Sequence, residues 1–126
     1  MREILAVGLG GFVGAVARYS LAGWVQQWSG SRFPAGTMLV NLVGCFAIGA
    51  FMAATQERVP LAPETRLFVT LGFLGSFTTF STFGYETVEL LRAGDLGRAG
   101  LNVVGQVALG LLAVVAGAAA IRALWR

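Results

Sequence analysis

Residues 72–83 read Gly-Phe-Leu-Gly-Ser-Phe-Thr-Thr-Phe-Ser-Thr-Phe and sit inside an apolar stretch long enough to cross a bilayer. Thr78, Thr79, Ser81 and Thr82 form a near-continuous run of hydroxyls among Phe73, Phe77, Phe80 and Phe83. Polar groups at membrane depth must find partners, and irregular backbone is tolerated there only inside protein or beside a cavity. The segment is therefore expected to touch something polar that moves. Gly72, Gly75 and Ser76 weaken a helix in its middle, and the following hydroxyls compete with backbone bonding. Two outcomes stay open. A break exposes carbonyl oxygens that suit a small hard cation such as sodium. Alternatively, the helix runs on and the hydroxyls bond back to their own turn.

Phe77, Phe80 and Phe83 recur every three residues, which on a helix keeps neighbours on one side. A phenyl ring has a negative face and a positive edge. Edges turned inward stabilise a small, partly dehydrated anion without a full charge to trap it; the same spacing also suits plain packing. Asn41 brings an amide into the second apolar stretch, where it needs a partner and its NH2 group can donate to an anion. Thr37 lies one turn earlier on the same face. Asn102 and Gln106, four apart, make a second polar stripe. Arg18 ends the apolar core of the first stretch, with snorkelling, carbonyl capping or a positive vestibule as its roles. Glu86 follows the phenylalanines by less than a turn, towards a membrane surface, and the plainer alternative for it is an exposed carboxylate at the helix end.

Other chemistries lack their residues. There is no His, and Cys45 is the only cysteine, placed as a small packing residue. No intrachain disulfide forms, and transition-metal or His- and Cys-based catalytic sites lose their usual ligands. The chain is not expected to be an enzyme. All nine basic residues are Arg, giving a net charge of +3, and they are dispersed near segment ends. That argues against nucleic acid and for topology at a lipid surface.

The elements that must hold these residues follow from composition. The 126 residues are 56% hydrophobic and only 12% charged, too apolar for so short a chain to hide its surface inside itself. One all-α membrane domain, residues 1–126, is expected, with spans at about 4–24, 37–55, 65–91 and 98–124. The joints fall at Gln26 to Gly36, Gln56 to Glu64 and Arg92 to Gly97, and Trp24, Trp28 and Trp125 suit the interfaces. The start lacks the pattern of a cleaved signal, so the first span is expected to stay in the membrane. Gly10, Gly14, Gly44, Gly49, Gly105, Gly110 and Gly117 suit close helix approach.

The positive-inside count is nearly even. Arg2, Arg58, Arg66, Arg122 and Arg126 fall on the side of the termini, against Arg32, Arg92 and Arg98 on the other. Insertion in both orientations is the consequence. Many transporters build two-fold pathways from inverted repeats within one chain. A repeat-free four-span chain reaches the same symmetry with two antiparallel copies, and four helices alone line a pore poorly.

At these residues the chain resembles the Fluc/CrcB family of bacterial fluoride channels along almost its whole length. The shared strings are Gly11-Phe12-Val13-Gly14-Ala15 leading to Arg18-Tyr19, Gly36-Thr37 with Val40-Asn41 and Gly44, and Gly72-Phe73-Leu74-Gly75 with Thr78-Thr79-Phe80-Ser81-Thr82-Phe83. The resemblance implies a dual-topology antiparallel homodimer in the bacterial inner membrane, with two passive fluoride paths. It assigns Phe80 and Phe83 to an aromatic box and Asn41 to a polar donor. Thr79, Ser81 and Thr82 fall beside the pore, and Glu86 near its exit. Gly75 and Thr78 are assigned to carbonyls holding a structural sodium at the dimer interface. Some relatives carry Tyr, Ser or His on the stripe where this chain has Asn102 and Gln106, and Ser76 replaces a second glycine.

A small multidrug exporter needs a membrane-embedded carboxylate, but Glu3, Glu57, Glu64, Glu86, Glu89 and Asp95 fall in loops or towards span ends. A scaffold subunit has no use for polar stripes at membrane depth. Passive fluoride export is the reading favoured, and its chemistry is simple. Hydrogen fluoride enters uncharged and dissociates in the near-neutral cell. The trapped anion is then driven outwards by the membrane potential.

Overall fold

The computed structural model describes residues 1–57 and 59–125. Arg58 and Arg126, both counted in the charge bias, lie outside the described residues, and so does the Glu57 side chain. Four apolar segments are each long enough to span a membrane: Arg2–Ser29, Ala35–Gln56, Pro63–Arg92 and Leu96–Leu124. Helix α1 covers Arg2–Ser29 and α2 covers Ala35–Glu57. The third span is composite. It begins as α3 (Pro63–Leu67), widens into a π-helix (Phe68–Leu74), and closes with a single turn, α4 (Gly75–Phe77). It stops at Thr78 and Thr79 and resumes as α5 (Phe80–Arg92). Helix α6 covers Leu96–Leu124.

Of the two outcomes left open for the third span, the structure adopts the break. Thr78 (φ −93°, ψ 160°) and Thr79 (φ −153°, ψ 116°) are both extended. The weakness expected at Gly72 and Gly75 is not the site of the break, since both glycines stay helical: Gly72 lies within the π-helix, an element the composition does not signal, and Gly75 opens α4. Gly72 packs against Gly10, and a Cβ on Gly10 would strike the Phe68 carbonyl. A Cβ on Gly14 would strike the Phe73 carbonyl. The widened turn is thus pressed against α1 with backbone meeting backbone.

The helices also outrun the predicted spans. Helix α1 continues eleven residues past Arg18, which lies inside the helix as expected, although the helix runs on beyond the predicted span. Gln26, expected to open a loop, is helical and binds the next connection. Its Nε2 donates to the carbonyls of Ser31 (2.7 Å) and Phe33 (3.2 Å), and its Oε1 accepts from the Gly36 N–H (3.2 Å). Left-handed glycines, Gly30 (φ 57°) and Gly94 (φ 74°), terminate α1 and turn the chain between α5 and α6. Asp95 caps α6, accepting from the Arg98 N–H at 3.1 Å.

Helix α2 packs most extensively on α6. A Cβ on Gly49 would strike the Val114 carbonyl, and one on Gly117 the Phe46 carbonyl. Large apolar side chains such as Phe12, Val104, Leu111 and Val115 point outwards, as expected where lipid replaces a protein core.

Candidate functional site: a groove at the broken helix

Three residues of α2 face the second half of the third span in register. Thr37 Oγ1 donates to Glu86 Oε1 at 2.7 Å. Asn41 reaches Thr79, and Gly44 lies beneath the Thr78 methyl, where a Cβ would collide. The i, i+4, i+7 spacing puts all three on one stripe.

Asn41 bonds the interrupted backbone from both sides. Its Oδ1 accepts from the Thr79 N–H (2.7 Å) and its Nδ2 donates to the Thr79 carbonyl (3.1 Å). This satisfies one donor and one acceptor that the extended residue would leave orphaned. It also draws the Thr79 N–H away from the Gly75 carbonyl, its i−4 acceptor in a continuous helix. A second diversion follows at once. The Thr82 N–H, the i+4 donor for the Thr78 carbonyl, donates to Thr79 Oγ1 at 3.2 Å and caps α5. Gly75 and Thr78 therefore lose their i+4 donors for identifiable reasons, and carbonyl oxygens so released suit a hard cation.

Asn41 Nδ2 makes a second bond, to Gln106 Oε1 at 2.6 Å. Gln106 Nε2 donates to Asn102 Oδ1 (3.0 Å), and Asn102 Nδ2 donates to Thr87 Oγ1 (2.9 Å). Thr87 Oγ1 donates to the Phe83 carbonyl (2.7 Å). The Asn102 side chain is fully buried, with 0% exposed. The polar stripe of α6 is thus a bonded chain joining α2, α6 and α5.

These residues surround an open groove of about 370 Å³. Asn41, Gly75, Thr78, Thr79, Phe80, Phe83 and Gln106 line it, together with Gly44, Cys45, Ile48, Thr70, Leu74 and Val107. Phe80 and Phe83 meet at a centroid distance of 5.4 Å, with rings tilted by 54°. Phe80 is 81% exposed and Phe83 only 9%. Phe77 departs from the expected three-residue series. It lies before the break and stacks on Phe73 at 5.7 Å, because the extended Thr78 and Thr79 end the helical phase. Thr70 and Cys45 were not singled out as groove residues in the sequence. Thr70 enters through the π turn, a feature with no compositional signal.

The remaining candidates lie outside the lining. Arg18 Nε donates to the Ser76 carbonyl at 2.9 Å, putting a cation at the C-terminal end of α4. Ser81 is exposed beside Thr79 Oγ1 (3.3 Å), and Thr82 Oγ1 accepts from Thr79 Oγ1 (3.0 Å). Glu86 is not a solvated helix end. It lies in the interior of α5, half-buried against Thr37, and its Oε2 is buried with no partner among the described residues.

The family profile described as CrcB-like protein, Camphor Resistance (CrcB), matches residues 5–118. A protein of Geobacter sulfurreducens named fluoride-specific ion channel FluC is 50% identical over 124 residues, covering 98% of this chain and 100% of its own length. Fluoride-specific ion channel FluC 1 of Methanosarcina acetivorans is 46% identical over 117 residues, covering 93% of this chain and 88% of its own length. The FluC protein of Opitutus terrae is 49% identical over 116 residues, covering 90% and 88%. The profile and these relatives run through the composite third span and the groove around it, and the chain belongs to the CrcB family.

Proposed function

We propose that this chain is a passive, fluoride-selective channel of the cytoplasmic membrane, not an enzyme, and that it works as an antiparallel homodimer with two paths. The observation carrying the reading is the meeting, in one groove, of the Asn41 amide, the Thr79 break and the Phe80–Phe83 ring pair. Its support is the relatives named fluoride-specific ion channels. A groove this open needs another surface to become a path. The exposed Phe80 ring and the nearly balanced arginines favour a second, inverted copy over lipid.

An anion at the break meets the N-terminus of α5, a region of positive potential. Ring edges and neutral donors stabilise it without the deep well that a buried arginine would create. Fluoride is small enough to exchange water for such donors one at a time, whereas chloride is too large for a path fitted to it. Structural sodium fits the released carbonyls of Gly75 and Thr78, and it would supply a fixed positive charge tying the two break regions together.

The test is fluoride efflux from liposomes containing the purified protein, with a potassium gradient and valinomycin to release the voltage. Rapid fluoride efflux with chloride retained is the expected result. No fluoride efflux from verified dimers overturns the reading. Replacing sodium by a large organic cation is expected to lower dimer stability; unchanged stability removes sodium from the account.

A further inference from the structure

We propose that the α6 amide chain is reversible: fluoride at Asn41 turns Gln106, Asn102 and Thr87 over together, converting Gln106 from an internal acceptor into a second anion donor. The inference deepens the channel reading and rests on it.

The chain has a sense. Asn41 is fixed by its two bonds to the Thr79 backbone, so its free side presents N–H. Gln106 must then present oxygen to Asn41 and N–H to Asn102, Asn102 must present N–H to Thr87, and Thr87 ends the series on the Phe83 carbonyl. Every bond donates in the same direction, an arrangement in which each bond polarises the next. In this state Gln106 Oε1 holds, at 2.6 Å, the place where an anion would accept from Asn41. The oxygen is an internal stand-in for the anion.

Only the Asn41 end is anchored to backbone geometry. Asn102 and Gln106 are primary amides whose two ends have nearly the same shape, and the Thr87 hydroxyl is a rotor. If fluoride takes the Asn41 N–H, Gln106 can turn its NH2 group towards the anion. Its oxygen then accepts from the Asn102 NH2 group. The Asn102 oxygen in turn accepts from the Thr87 hydroxyl, which releases the Phe83 carbonyl to its ordinary helical bond. Four hydrogen bonds are made before and four after, and two of the second set end on the anion. None of the four side chains in the series is left without a partner in either state. A chain carrying a charged or rigid residue at position 102 or 106 could not do this.

The sequence has only two asparagines, Asn41 and Asn102, so side-chain 15N labelling of asparagine gives two resolvable amide groups. Titration of the detergent-solubilised dimer with sodium fluoride is expected to shift both. Asn102 is fully buried and does not line the groove, so a shift there is passed along the chain and does not come from direct contact with the anion. Sodium chloride is expected to shift neither. A fluoride shift confined to Asn41, or no shift in protein that conducts fluoride, overturns the reversal and leaves the channel reading standing. No shift together with no efflux removes both.

Flux gives a second test. Gln106→Met keeps the volume but removes both the competing oxygen and the second donor. Loss of a donor to the anion is expected to raise the half-saturating fluoride concentration roughly tenfold and to abolish the Asn102 shift. A static plug predicts the opposite, a lower half-saturating concentration. Thr87→Ser keeps the terminal hydroxyl and is expected to retain both the flux and the Asn102 shift; loss of that shift in a conducting Thr87→Ser protein overturns the proposal.

Discussion

The Asn41 side chain and the Thr79 backbone exchange two hydrogen bonds, at 2.7 and 3.1 Å, as two residues of neighbouring β-strands would. One side chain thereby replaces the missing helical partners of a residue in the middle of a membrane span. Asn41→Ala strands the Thr79 N–H and carbonyl, each worth about 1–3 kcal/mol when buried unpaired. A fall in detergent thermal stability with loss of fluoride efflux is expected. Asn41→Asp keeps an acceptor for the Thr79 N–H, so it should recover part of the stability but not the efflux. Parallel melting and efflux assays check both.

Phe80 and Phe83 are a ring pair with unequal burial, and their variants should separate. Phe80→Ile removes an exposed ring, so the monomer fold should be unaffected while fluoride efflux falls. Phe83→Ala removes a nearly buried ring from the groove wall and should destabilise the protein by up to about 3 kcal/mol. Size-exclusion profiles alongside efflux distinguish lost conduction from lost folding. Unchanged efflux in Phe80→Ile would remove the ring edges from the mechanism.

Gly14 has no room for a side chain, because its Cβ would meet the Phe73 carbonyl, whereas Gly8 has open space within 4 Å. Gly14→Ala is expected to push α1 off the π-helix and destabilise the protein by about 1–3 kcal/mol. Gly8→Ala is expected to be neutral or slightly stabilising, since alanine favours helix. Comparable yields and melting temperatures for the two variants would refute the close-packing account.

Asp95 supplies a pH dependence outside the membrane. The Arg98 backbone N–H, then its guanidinium at 2.7 Å, hold the Asp95 carboxyl below its usual value of 3.8. A lowered folded-state value means that the cap contributes fully above the usual aspartate range. Its contribution fades as pH falls through the folded value. The stability difference between wild type and Asp95→Ala is therefore expected to hold constant from neutral pH to about 5 and to shrink only in stronger acid. Melting curves across that range check it.

The spans were legible because twenty apolar residues in a row have few other uses. The break was legible as a region, because hydroxyls cluster at Thr78 to Thr82. Its position was less so: Gly72 and Gly75 drew attention, yet the chain parts three residues beyond Gly75, at Thr78, where Asn41 is placed to receive it. That partnership crosses 38 residues, and no local rule reports it. Asn102 and Gln106 were seen as a stripe, but their bonding sense depends on Asn41 and could not be read from α6 alone. Glu86 was legible as an acidic residue close behind the phenylalanines, but its partner was not, because Thr37 lies on another helix.

The π-helix of Phe68–Leu74 hydrogen-bonds five residues back where an α-helix bonds four. It acts as a rotational offset between the two ends of the third span. One residue fewer in this stretch would turn everything after it by roughly a quarter turn relative to α1, carrying Thr79 away from Asn41 and Phe80 away from the groove. The segment is thus intolerant of length change for a reason unrelated to its side chains, and a single-residue deletion there should be more damaging than most substitutions within it.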